Sequence, residues 1–516
     1  MNKSSAWSRG YPVDQPYPVA WHGIQSPAWL RAVCAVNGVV WDVDERTPLS
    51  ICELGCGTGY TANVLAAGNP HWQVFGFDYN PAHIAEARQL ALGAGLDNAH
   101  FLELDVAELD GAALATLPEF DLVMLHGVWS WVDDPVREGV LRLLRSRLKA
   151  GGLALVTYNA LPGAASSLGL SRLVQPFLQD SASSEQAVAD AGTLVQRLMA
   201  ANVRHIGQSR WLGMLAGEEK NVDAGYLRHE FATTHWRPAF FADVAAAFGS
   251  ARCDYVGSAT IDENFPALSL TPDQQAIWRE ARDLASRELV FDLCVPRAFR
   301  RDLYVRGVRR INRVNATEAI WIALRDGRDG PLILRSQAGE AQLPDALVQA
   351  VRTRLRQGAA TIGMLKTLPE CANATAEELL ATLLGSRFAV PLWQGPPAGR
   401  AEPALQARLI RFNRASAARF APHGVGRNPL ALPLPLQGGA LPVGPLELAV
   451  RVTLDSLDAE AAGGGVHPAP AASADQVLRH LLPPGGMPPP DVLDELREAI
   501  GTILTRDVPI WRAVGT

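Results

Sequence analysis

Lysine is nearly missing from this 516-residue chain: Lys3, Lys149, Lys220 and Lys366 are its only four, and arginine carries the rest of the basic charge. Acidic residues outnumber basic ones, 53 to 47, so there is no cationic excess of the kind that marks a nucleic-acid surface. No run of about 18 apolar residues offers a membrane span, and the opening stretch MNKSSAWSRGYPVDQPYP has no apolar core of a signal peptide. The six cysteines (Cys34, Cys52, Cys56, Cys253, Cys294 and Cys371) form no C-x-x-C pair, which excludes a zinc set and suits small packing residues in a reducing cytoplasm. His229, Glu230 and His235 miss the spacing of H-E-x-x-H, because histidines six apart do not share a helix face. A cytoplasmic chain is therefore expected, with no metal, no nucleic-acid partner and no membrane span.

At roughly 150 residues per domain the length allows about three domains. Over 48–164 strand and helix signals alternate. Leu49–Leu54, Trp72–Asp78, Ala99–Asp105, Phe120–Val128 and Leu153–Asn159 read as strands. Between them, Asn80 caps a helix that has Pro81 at its first turn, and Pro135–Leu148 reads as another helix. This alternation predicts an α/β fold, an open and mostly parallel doubly wound sheet whose ligands lie beyond the carboxyl ends of its strands. Residues 1–47 are expected to cover that site, 165–320 to form a mostly helical domain, and 321–516 a winged-helix-like module with Gly/Pro-rich linkers.

The stretch ICELGCGTGYTANVLA joins the first strand to its helix with Glu53, Gly55, Cys56, Gly57 and Gly59. A pyrophosphate loop would read G-x-G-x-x-G. Here the spacing is G-x-G-x-G, and Glu53 would face a phosphate badly but suits a ligand with a cationic end. Asp78 ends the second strand, where it can accept hydrogen bonds from two ribose hydroxyls, and Tyr79 follows it as a stacking surface. Asp105 ends the third, flanked by Leu104 and Val106, where it can accept from an adenine amine between apolar neighbours.

The E-x-G-x-G-x-G pattern resembles motif I of class I S-adenosylmethionine-dependent methyltransferases. With HGVWSWV (126–132), TYNALPG (157–163), YPVDQPYP (11–18) and the segment 224–259, the chain resembles bacterial methyltransferases that carry a methyltransferase regulatory domain. Their best-known members resemble the lysine methyltransferases acting on a rickettsial outer-membrane protein. The resemblance spans about 10–310 and implies a class I Rossmann-like fold, S-adenosyl-L-methionine as cofactor, Tyr11 and Tyr17 near it, and a regulatory domain over 165–320. It departs at Trp129, where the family has tyrosine, and in the loop sequence CGTGYT.

On the acceptor side, His126, Trp129, Trp131, Tyr158 and Asn159 are the candidate catalytic residues, His126 also being placed beside the cofactor. Two tryptophans two apart share a side if the segment is extended, and an aromatic wall can hold a cationic lysine. The chain lacks the N-P-P-Y and D-P-P-Y motifs that grip the amine of a flipped base, YNAL being its nearest string. A protein substrate methylated on lysine nitrogen is the leading expectation. A small-molecule or glycan acceptor, and a cofactor-binding regulator without catalysis, stay open.

Overall fold

The apolar run after Ser50 forms β1 (Ser50–Leu54), buried from Ile51 onward. It pairs in parallel with β2 (Gln73–Asp78) on one side and β4 (Phe120–Leu125) on the other. The computed structural model describes residues 18–44, 46–180, 184–203, 211–215, 224–231, 233–336, 339–395, 402–422, 428–463, 472–482 and 488–516. With β3 (Ala99–Glu103), β5 (Leu148–Asn159), β6 (Cys253–Ser258) and β7 (Phe299–Arg306), the strands form one seven-stranded sheet in the order β3-β2-β1-β4-β5-β7-β6. Strands β1 to β5 are parallel. Strand β7 runs antiparallel to β5, Leu155 facing Leu303, and β6 runs antiparallel to β7. Two strands of the segment expected to be mostly helical thus complete the sheet begun by 50–159.

Proline and asparagine fix the helix starts as the sequence predicts. Asn80 accepts a hydrogen bond from Ala82 N–H and Pro81 opens α3 (Pro81–Ala94). Asp133 does the same for the helix Asp134–Arg147, through Val136 N–H. That helix stops at Arg147, and Ala150–Gly152 belong to β5 rather than to a helix end.

Helix α2 (Tyr60–Gly68) is buried at all nine positions. A helix without a wet face must be covered on both sides. The sheet covers one, and the C-terminal region covers the other. Tyr60 Oη accepts from Ala431 N–H (2.9 Å) and lies 3.3 Å from Ser416 Oγ. Trp72 meets Trp393 edge-on, with ring centroids 5.6 Å apart. Arg408, on the helix Pro403–Phe420, pairs with Asp97 at 3.1 Å and donates to the Asn98 side chain. Apolar residues of the N-terminal helix, the sheet and the C-terminal region form one continuous core. Within that region the elements over 321–392 run strand, two-stranded ribbon, helix, short strand, short helix, one 3-10 turn, ten-residue helix, strand. Among the described residues no helix is long and apolar enough to cross a membrane.

Candidate active site

Two cavities meet at the carboxyl ends of the parallel strands. The smaller, about 220 Å³, is lined by the strand-end residues singled out above: Glu53, Gly55, Cys56, Gly57, Asp78, Tyr79, Leu104, Asp105, Val106, His126 and Trp131. The larger, about 890 Å³, runs between the sheet, residues 226–263 and the C-terminal region. His22, His126, Gly127 and Trp131 line both, so one wall separates two chambers.

Backbone geometry explains why the acids sit where they do. Asp78 Oδ2 accepts from Gly57 N–H and Oδ1 from Asn80 N–H, each at 2.9 Å, so this carboxylate ties the glycine loop to the end of β2. His83 Nδ1 lies 3.5 Å away. Asp105 stands two residues past β3 and caps the short helix Val106–Glu108 through Ala107 N–H. Glu53 is buried, and Gln25 Nε2 donates to its Oε1 at 3.1 Å. Its Oε2 is buried with no hydrogen-bond partner among the described residues. Burial is the main force raising the Glu53 carboxyl to about 8; Asp78 adds to it, while Gln25 and Ala62 N–H oppose it.

Beyond the glycine loop, burial holds His126 neutral, well below its ordinary range, with the His22 and Arg301 charges adding to the effect. Its ring centroid lies 4.3 Å from that of His22, which burial and Arg301 lower to about 4. Gly127 N–H donates to Thr157 Oγ1 (2.9 Å), which is 3.3 Å from His126 Nδ1. The wall between the chambers is therefore uncharged at neutral pH.

Residues 52–154 match the model of a methyltransferase domain, and 223–306 that of a predicted methyltransferase regulatory domain. The chain carries a methyltransferase domain of the class I, S-adenosylmethionine-dependent fold and a predicted methyltransferase regulatory domain. An uncharacterized protein of Synechocystis is 28% identical over 384 residues, which cover 73% of this chain and 75% of that one. A malonyl-[acyl-carrier protein] O-methyltransferase of Paenibacillus is 31% identical over 115 residues, 22% of this chain and 41% of that protein. Among solved structures, PKMT2 from Rickettsia typhi superposes with a TM-score of 0.66 at 18% identity, covering 96% of this chain and 99% of that one. The same protein is also known in complex with AdoHcy. At such identity the likeness establishes the fold.

Not every predicted residue of the methyltransferase reaches a cavity. Trp129 and Trp131 do not share a side, because 129–131 form a turn closed by Trp131 N–H to Val128 O (2.9 Å). Trp131 lines both chambers. Trp129 packs on Phe248 (centroids 5.5 Å apart), and its carbonyl accepts from Arg137 Nε. Tyr158 is fully buried and donates to Asp302 Oδ2 at 2.7 Å. Side chains alternate along a strand, so its neighbour Asn159 faces the large cleft and Tyr158 does not. Gly59 lines neither chamber. Tyr11 and Tyr17 lie outside the described residues.

Among the residues that reach the chambers without having been singled out in the sequence as site residues, four polar ones stand near the predicted groups. His22 precedes and Gln25 ends the short helix Gly23–Gln25, and both contact the site from the N-terminal side. Glu230, which the sequence placed only in a string without metal-site spacing, lies on the helix Ala224–Phe231. Its side chain is buried in the large cleft, where Asn159 Nδ2 donates to Oε1 at 3.2 Å. Asp262 lines the same cleft, and burial, helped by Glu263, raises it to about 6. His22, Gln25 and Asp262 lie in no motif; Glu230 lies in the segment 224–259 that carries the family resemblance, and its partnership with β5 marks it out.

Proposed function

We propose that the smaller chamber holds S-adenosylmethionine and that the larger admits a lysine side chain of a protein substrate. The residues fit the cofactor on a direct observation: Glu53 lines the small chamber, and its buried Oε2 makes no hydrogen bond among the described residues, a costly arrangement for a carboxylate unless a cation completes it. When bound, S-adenosylmethionine supplies an electrophilic methyl on a sulfonium. Glu53, braced by Gln25, faces its cationic end. Asp78 accepts from the ribose hydroxyls, Asp105 from the adenine amine, and Tyr79, Leu104 and Val106 wall the ring. Residues 48–164 then form the cofactor domain, 1–47 its cover, and 165–320 the regulatory domain.

Glu53 yields a prediction with a definite sign. Protonated below about pH 8 while the site is free, it ionises when a cation binds beside it, because an opposite charge favours the ionised carboxylate. Titration calorimetry in buffers of different ionisation enthalpy should show close to one proton released per cofactor bound at pH 7, fading as pH passes about 9. Glu53→Gln should abolish the release. Binding of normal strength with no proton release in the wild type would reject the assignment.

The acceptor reading is carried by Glu230, whose buried carboxylate is hydrogen-bonded to Asn159 in the cleft that Trp131 and the His22–His126 pair separate from the cofactor chamber. A carboxylate among Trp21, Trp29, Trp131 and Phe299 suits an alkylammonium, which the aromatic faces and the charge both attract. Asn159 and Glu230 then orient the amine, which attacks the methyl only as the neutral base, after its proton has left to solvent, and the neutral wall keeps water from the reacting atoms. His126, held neutral, positions the acceptor through its ring. The name of the Rickettsia typhi neighbour and the family resemblance both support this reading.

Labelled-methyl transfer into an extract lacking the enzyme tests it. Label should appear in protein as methyl-lysine. Label confined to the small-molecule or glycan fraction, or cofactor binding without transfer, would reject it. Glu230→Gln should raise the acceptor KM about tenfold, the worth of one charge-assisted contact, and leave cofactor affinity unchanged in calorimetry. An unchanged KM would remove Glu230 from the acceptor site.

A further inference from the structure

We propose that Arg325 and Arg387 bind an acidic side chain flanking the acceptor lysine, so that the large cleft selects lysines lying near a Glu or Asp. The inference rests on the lysine reading above and adds a second pole to it.

Both arginines line the large cleft on the wall supplied by the C-terminal region. Arg325 follows the strand Trp321–Leu324, and Arg387 precedes the strand Ala389–Leu392, which pairs with the first, Ala389 facing Leu324. Arg325 N–H donates to Phe388 O at 3.1 Å, so the two positions are tied through the backbone. The Arg387 charge is felt at Arg325. Burial chiefly holds Arg325 below its ordinary value; Asp326 opposes this, and the Arg387 and Arg328 charges reinforce it. Arg325 is half-buried and Arg387 exposed, so an anion that reaches both meets two positive charges, one of them already partly stripped of water.

No such anion comes from the described residues. Neither guanidinium makes an ion pair or a side-chain hydrogen bond to any of them, and Arg325 Nε is buried without a partner among them. Asp326 sits beside Arg325 but pairs with Arg328 at 3.4 Å. Asp262 packs against Gly385 but forms no ion pair with either arginine; burial, then Glu263 and Arg301, govern its carboxyl. The other arginines of this cleft are satisfied: Arg335 pairs with Glu340 at 2.6 Å, and Arg301 donates to Thr260 Oγ1 at 3.2 Å. The backbone of Arg387 is also left-handed, at φ 59°, a conformation glycine or asparagine would take more easily.

The occupant follows from the chemistry. A carboxylate can accept from a guanidinium fork through both of its oxygens. The same cleft holds Glu230 for a cation, so a peptide presenting one ammonium and one carboxylate complements both poles. At about 890 Å³ the cleft has room for the residues that join them.

The test uses the full-length enzyme with S-adenosylhomocysteine and synthetic lysine-centred peptides that carry Glu or Gln at each flanking position in turn. Fluorescence anisotropy should find at least one position where Glu binds roughly tenfold tighter than Gln. In Arg325→Gln and in Arg387→Asn, which keeps a residue that tolerates the left-handed backbone, that preference should shrink to near unity. Binding of the Gln peptide and the melting temperature should stay unchanged. If Glu and Gln peptides bind alike, or the preference survives both substitutions, the proposal fails while the lysine reading stands. If no lysine peptide binds or is methylated, the lysine reading fails and takes this proposal with it. Arginine-dependent binding to phosphatidylglycerol vesicles, with no discrimination between peptides, would also overturn it, in favour of a lipid surface.

Discussion

Asp78→Ala should weaken S-adenosylmethionine binding about a hundredfold in titration calorimetry, with the protein still folded. On the proposed assignment the side chain has two duties. Its carboxylate accepts from the two ribose hydroxyls, and hydrogen bonds to a charged group contribute about 1.5–3 kcal/mol each. It also fixes the loop, because Gly57 N–H and Asn80 N–H both end on it at 2.9 Å. Truncation removes the ligand contacts and frees the backbone that shapes the chamber. The second duty predicts a stability loss of about 1–2 kcal/mol, since two backbone donors lose their partner. Asp78→Asn separates the duties. One amide oxygen still accepts, so the affinity should fall roughly tenfold, and the melting temperature should move less than in Asp78→Ala. Unchanged affinity in Asp78→Ala would displace the ribose from β2. An equal loss in the alanine and asparagine variants would assign the effect to charge alone.

The legible part of this methyltransferase is the part whose signals are local. Strands β1 to β5 stand out as apolar runs separated by a glycine loop, a capped helix start and a Pro-initiated helix, and the acids at the ends of β2 and β3 follow once those strands are placed. Strand β7 is disguised. Its sequence FRRDLYVR carries Arg300 and Asp302, both fully buried. They pair with each other at 3.0 Å, Arg300 also pairs with Asp292 and Glu288 on the helix Leu284–Cys294, and Asp302 accepts from the Tyr158 hydroxyl. Hydropathy scores such residues as solvent-facing, although pairing lets them sit inside a sheet. A long intervening segment also separates β5 from β6, so no alternation ties them together. The same limit applies to the acceptor cleft. Glu230, Asp262, Arg325 and Arg387 approach one space from separate parts of the chain, and each looks locally like an ordinary surface charge. The Trp129–Trp131 pair failed for a simpler reason: spacing of two implies one face only in extended backbone, and this segment turns.

The glycines of the motif divide by what a methyl group would meet, and the division is testable. Gly59 stands at the start of α2 with φ 68°, and a Cβ there would fall 2.5 Å from Phe101 Cε1 and 2.6 Å from Ala87 Cβ. Phe101 lies on β3 and Ala87 on α3, so all three elements must shift. Left-handed strain and overpacking, each about 1–3 kcal/mol, add to a loss of roughly 3–5 kcal/mol in Gly59→Ala, enough to unfold many domains. Gly57 also has positive φ, 53°, but a Cβ there meets nothing within 4 Å. It lines the small chamber, so the open space beside it is what the proposed cofactor needs. Gly57→Ala should cost only about 1–2 kcal/mol of stability through the backbone, yet weaken cofactor binding by one to two orders of magnitude. Thermal melts and calorimetry on the two variants should therefore give opposite rankings, with Gly59→Ala the worse folder and Gly57→Ala the worse binder among folded protein. If Gly57→Ala binds S-adenosylmethionine as the wild type does, the bare loop is a packing device and the cofactor lies elsewhere.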